Sequence, residues 1–174
     1  MAPQKITRFL LQILIICLGF GCASSSTEMN YCPKVGLISD LDRVAVIEGA
    51  DNKSKPNILF SSKIYRLGTK CKVSTEGITI SIVFDLSSKL SRYDTPTDVD
   101  IKYLVATIDP NGLILAKEVY QTTVNFMDGV QTARNTQEVE VFMPSPGNID
   151  LRKHKILIGF ELTKSQLRYN RGLR

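Results

Sequence analysis

The chain has 174 residues, with 22 Lys and Arg against 17 Asp and Glu, a formal net charge of +5, one histidine, four cysteines and no tryptophan. Aromatic residues make up only 7%, which leaves a stacking platform for single-stranded nucleic acid poorly supplied. One histidine is also too few for the usual zinc centres unless the cysteines join it.

The first thirty residues decide the address. Lys5 and Arg8 precede an apolar run over residues 9–21 that only Gln12 interrupts, and no acid appears before Glu28. A basic start, an apolar stretch and then small residues make the layout of an export leader. A helix that crosses a bilayer needs about 20 apolar residues, more than this run supplies. Residues 1–21 therefore read as a signal peptide. Cys22 follows Gly21 directly, and a lipoprotein peptidase cuts before such a cysteine. Gly19 stands where these sites usually carry Leu, however, and Gly21-Cys22-Ala23 also offers the ordinary peptidase a cut before Ser24. Lipidation of Cys22 is the expectation, with residues 22–31 as a polar tether. The remaining chain, residues 32–174, has the size of one domain.

Cys17 leaves with the leader, and Cys22 is either lipidated or removed. Both cleavages leave Cys32 and Cys71, which an oxidising exported compartment pairs. The alternative is two buried free thiols. A bridge closing about forty residues stabilises by roughly 4 kcal/mol in the loop-entropy model.

From there the chain reads as strands. Short candidates lie at residues 44–48, 58–67 and 71–75. In "ITISIVFDL", Ile78, Ile80, Ile82, Phe84 and Leu86 share one face while Thr79, Ser81 and Asp85 take the other. That period of two is the signature of a half-buried strand. Residues 99–108 are apolar on both faces, as a central strand should be. "DPNG" at 109–112 has the Pro and Gly placement of a tight turn and predicts a hairpin with residues 113–126. In this second arm the inward set slips from Leu113/Leu115 to Tyr120/Thr122/Val124/Phe126, so a β-bulge is expected near residues 116–118. Residues 137–143 and 155–162 alternate again, the latter with Ile156, Ile158, Phe160 and Leu162 inward. Loops are expected at 49–57, 87–97, 127–136 and 144–150. The expected fold is all-β: an antiparallel, immunoglobulin-like β-sandwich of about seven to eight strands.

The C-terminus breaks the strand pattern. Thr163-x-x-Gln166 has the form of a capping box and predicts a short helix through residues 167–171. Seven Lys or Arg fall between Arg152 and Arg174 against the single Glu161. On a helix, Lys164, Arg168 and Arg171 fall at i, i+4 and i+7 and share a flank, with Leu167 and Tyr169 left to dock on the sandwich. That flank is a candidate binding patch for anionic lipid headgroups or an acidic partner. The alternative is a solvated face whose cations complement the helix dipole.

Three strings occur together and in order: "CPKVG" (32–36), "DPNGLILAKEVY" (109–120) and "GFELTKSQLRYNR" (159–171). They resemble a family of small, uncharacterised lipoproteins of alphaproteobacterial envelopes. Such proteins carry Cys-Pro-x-Val-Gly shortly after the lipidated cysteine and close on Leu-Thr-x-x-Gln-Leu-x-Tyr-Asn-Arg. The likeness covers the whole mature chain, and Gly19 at the usual Leu position is where this sequence departs. The resemblance implies an address and a sandwich fold but no activity.

No catalytic constellation emerges. His154, between Lys153 and Lys155, reads as an exposed surface histidine, and no Gly-x-Ser-x-Gly elbow accompanies it. Asp40/Asp42 and Asp98/Asp100 are spaced at i, i+2 but lack the Asp/Asn/Gly ladder of a calcium loop, so they read as solvated acids. No catalytic residue, metal ligand or cofactor is assigned. The functional expectation is a non-enzymatic lipoprotein of the outer membrane, facing the periplasm. It would bind or scaffold an envelope protein or anionic lipid, with no role for nucleic acid. The alternatives are a soluble periplasmic enzyme or enzyme subunit, and a small-ligand binder with an enclosed apolar pocket between its sheets.

Overall fold

The alternating apolar residues pair into two facing sheets. The computed structural model describes residues 32–48, 57–92, 97–145 and 150–173. Its strands are β1 (Lys34–Leu37), β2 (Arg43–Glu48), β3 (Asn57–Val73), β4 (Gly77–Leu90), β5 (Asp98–Ile108), β6 (Ile114–Asn125), β7 (Thr132–Pro144) and β8 (Lys155–Phe160), followed by helix α1 (Lys164–Gly172). One sheet has the order β1-β8-β5-β6 and the other β2-β3-β4-β7. All pairings are antiparallel except β1 with β8. This is the antiparallel-rich all-β sandwich of eight strands expected from the periodicity. The expected leader, Cys22 and the tether at 22–31 lie outside the described residues.

The core forms where the two inward sets meet. Ile78, Ile80, Ile82, Phe84 and Leu86 of β4 are buried with Ile101, Tyr103 and Val105 of β5 and Ile156, Ile158 and Phe160 of β8. Phe84 meets Tyr103 edge-on at 5.2 Å, and Tyr103 stacks on Tyr120 at 5.3 Å. Such pairs contribute about 0.5–1.5 kcal/mol beyond their area.

Several boundaries differ from expectation for identifiable reasons. The strands expected at 58–67 and 71–75 are one continuous β3. Its break is absorbed by a register shift between Tyr65 and Gly68, where Arg66 adopts a positive φ of 52°. The loop expected from residue 87 begins only after Leu90. Ser88 keeps the inward parity, and its Oγ donates to the buried Ser62 Oγ at 2.9 Å on the neighbouring strand. Similarly, β7 begins at Thr132, inside the loop expected to run to 136. β1 was not expected at all, since four residues containing a glycine show too little periodicity.

The hairpin forms as read, with its slip displaced. Thr107 faces Ala116 and Ile108 faces Ile114, so Leu115 is the extra residue, just before the expected 116–118. A bulge residue leaves the ladder, and neither Leu113 nor Leu115 points inward; they are 64% and 53% exposed. Tyr120, Thr122, Val124 and Phe126 do face the core side. In the turn, Asp109 Oδ1 accepts from the backbone amides of Leu113 at 2.7 Å and Asn111 at 2.9 Å. The Leu113 amide is the main reason its carboxyl is held below the usual range. Gly112 supplies the positive φ, 91°, that a side chain would resist.

Candidate functional site

Two places carry the groups singled out in the sequence, and they lie at opposite ends of β8. At its start is the Cys32–Cys71 disulfide, with Cα atoms 6.1 Å apart. Cys32 stands just before β1, whose Lys34 pairs with Lys155 of β8. Cys71 belongs to the far end of β3, in the other sheet. The bridge therefore ties the two sheets together where the described chain begins.

At the other end of β8 the chain turns into α1. Thr163 caps it reciprocally: its Oγ1 accepts from the Gln166 amide at 3.3 Å, and its own amide donates to Gln166 Oε1 at 2.8 Å. The helix packs along β2, but not chiefly through Leu167 and Tyr169, which are only half-buried. Asn170, 4% exposed, is its most buried residue. Its Nδ2 donates to the carbonyls of Asp40 at 2.7 Å and Arg43 at 2.8 Å. Gln166 Nε2 donates to the Ala45 carbonyl at 3.0 Å. An edge strand such as β2 presents carbonyls that the ladder leaves unpaired, and these two amides satisfy those of Arg43 and Ala45 together with that of Asp40 in the preceding turn. Sequence reading ranks Leu and Tyr as docking groups, so the amides were missed. Their i, i+4 spacing was the available signal.

Lys164, Arg168 and Arg171 are exposed, as expected. Arg171 Nε approaches Asp40 Oδ2 at 3.5 Å. Asp42 is occupied by Arg43, through paired contacts of 3.2 and 3.1 Å. Two cavities of about 260 Å³ each flank Asn170. One is walled by Ser39, Asp40, Asp42 and Arg43, the other by Val44, Ile58, Ser61 and Tyr169. Both lie beside the helix rather than between the sheets.

His154 corrects an expectation. It is 8% exposed, not a surface residue, and its Nδ1 has no hydrogen-bond partner among the described residues. The parity that sends Ile156 and Ile158 inward also sends His154 inward, while Lys153 and Lys155 turn out. Asp98 and Asp100 face β6 across the ladder. Asp100 accepts from Thr123 Oγ1 at 2.6 Å and Gln121 Nε2 at 3.2 Å, and Asp98 from Asn125 Nδ2 at 2.9 Å. On the flank where β6 and β7 are the outer strands, Tyr120 donates to Glu118. Burial, then the Glu118 carboxylate, pushes its phenol up to about 12.

These features define a disulfide-tied β-sandwich with a polar helical clasp. The chain matches no protein-family model, no curated protein and no solved structure.

Proposed function

We propose that the protein is a non-enzymatic lipoprotein of the cell envelope, anchored in the outer membrane through Cys22. Its periplasm-facing sandwich binds or scaffolds another envelope component. The observation that carries this reading is the Cys32–Cys71 bridge, ten residues beyond Cys22. Disulfides persist in exported compartments and are rare in reducing ones. A bridge at this position also lets a pull on the tether load the whole sandwich rather than β1 alone. The basic and apolar leader supports the same address, as does the resemblance of the three ordered strings to those of alphaproteobacterial envelope lipoproteins.

The contact offered to the partner is the α1 flank with Lys164, Arg168 and Arg171. Its exposed cations suit an acidic protein surface. The test is metabolic labelling with palmitate. The exported protein takes up label, and Cys22→Ala abolishes it; an unlabelled mature protein beginning at Ser24 defeats the anchor. Crosslinking in intact cells then identifies the partner.

A further inference from the structure

We infer that the end of the sandwich bearing Cys32 is a membrane-apposed face. It seats on an anionic phospholipid surface through the β5–β6 hairpin tip and the cations around it. This inference rests on the tethering reading above and deepens it.

Register determines which residues share that end. Lys34 of β1 lies beside Lys155 of β8, and Lys155 beside Ile108 of β5, the last residue before the 109–113 turn. The disulfide brings the close of β3 to the same end, and with it the turn into β4. A small cavity lined by Thr107 and Ala116 from one sheet and Val141 and Phe142 from the other shows that the two sheets are level here.

Five apolar residues at this end lie outside the buried core. Leu113, Ile114 and Leu115 are 64%, 58% and 53% exposed, and Val73 and Phe142 are exposed on neighbouring strands. The turn is already held by Asp109 and Gly112, and Leu115 is the unpaired bulge residue. Single exposed apolar residues are ordinary, but contiguous ones mark a contact surface.

Charge at the same end selects the kind of surface. Lys34, Lys70, Lys72, Arg152, Lys153 and Lys155 gather there, against Glu76, Asp109, Glu118, Glu140 and Asp150. Asp109 is engaged by backbone amides, and Asp150 is clasped by Arg152 at 2.7 and 3.0 Å. Lys34 and Lys155 stand side by side in the parallel ladder, a like-charge pairing that is unfavourable by itself and is relieved by an anionic surface. Projecting apolar side chains ringed by cations match the bilayer interface, where the former reach the acyl boundary and the latter the phosphates.

The route of the chain specifies the occupant. Ten residues separate Cys22 from Cys32, and fully extended they span at most about 36 Å. A lipid on Cys22 therefore keeps this end close to the bilayer. The α1 patch, at the other end of β8, is left for the partner.

The absence of tryptophan makes the test clean, because one introduced indole reports only its own surroundings. Ile114→Trp and Leu173→Trp proteins are purified in whichever form the cell exports. Each is reconstituted with vesicles of phosphatidylethanolamine and phosphatidylglycerol carrying brominated acyl chains. The emission of Ile114→Trp is expected to shift to the blue and lose most of its intensity, while that of Leu173→Trp keeps its intensity. Adding Lys34→Gln, Lys153→Gln and Lys155→Gln to Ile114→Trp should restore most of the signal. No quenching at Ile114→Trp, or quenching at Leu173→Trp as strong as at Ile114→Trp, overturns the inference. Palmitate labelling separates the two readings. An unlipidated protein with a quenched tip keeps the membrane face and loses the anchor, and a lipidated protein with an unquenched tip does the reverse.

Discussion

At the Cys32 end, Arg152, Lys153 and Lys155 stand among the exposed Leu113, Ile114 and Leu115. At the α1 end, Lys164, Arg168 and Arg171, the last beside Asp40, stand on a helix held by the amides of Gln166 and Asn170. Along the chain these six cations form one basic stretch. In the fold, the six residues of β8 carry it from one end of the sandwich to the other, about 20 Å at strand rise. The two groups differ in what accompanies them. Apolar projections at the first suit a lipid interface, whereas carbonyls and carboxylates at the second suit a polar, protein-like contact. Neighbouring groups, rather than charge alone, distinguish the two surfaces.

The largest effect tests how the first end is fastened. Cys71→Ser opens a bridge with a sequence separation of 39 residues, and urea unfolding should show a loss of about 4 kcal/mol. Unreduced wild-type protein should at the same time offer neither Cys32 nor Cys71 to an alkylating reagent. An unchanged midpoint would mean that the bridge adds nothing to a sandwich already closed by its core.

The second end is tested by ranking two substitutions on α1. Asn170→Ala strips partners from two carbonyls and should cost about 2 kcal/mol. Leu167→Ala removes a half-buried side chain and should cost about 1 kcal/mol. The reverse order in chemical denaturation would show that the helix docks by its apolar residues after all, and the contrast between the ends would fade.

The smallest effect on stability carries the sharpest functional reading. Arg168→Glu with Arg171→Glu alters only exposed cations, one of them at 3.5 Å from Asp40. Stability should change by no more than about 1 kcal/mol. Recovery of the crosslinked partner from intact cells should nevertheless fall sharply. Undiminished recovery would remove α1 from the binding surface.

Local pattern was enough for much of this molecule. Alternation in β4, β7 and β8 identified the inward residues, because side chains on a strand change face at every step. The DPNG turn and the Thr163–Gln166 cap were legible because their hydrogen bonds close within four residues. The pairing of Cys32 and Cys71 was legible because, with Cys17 and Cys22 assigned to the expected leader and lipid site, these two had only each other. What the pattern could not supply depended on partners distant in sequence. Ser88 became a strand residue because Ser62 lies across from it, and β1 exists because β8 offers it an edge. His154 is inside because the parity of β8 extends one residue before the strand itself, past Lys155. Asn170 is an anchor because the carbonyls of residues 40 and 43 come to meet it from some 130 positions away. The sequence by itself determined the alternating strands, the turn, the cap and the overall charge, all set by composition or by interactions of short range. Only the tertiary structure decided that one basic stretch becomes two separate surfaces, because the direction of β8 and the register of its neighbours are properties of the assembled sheets.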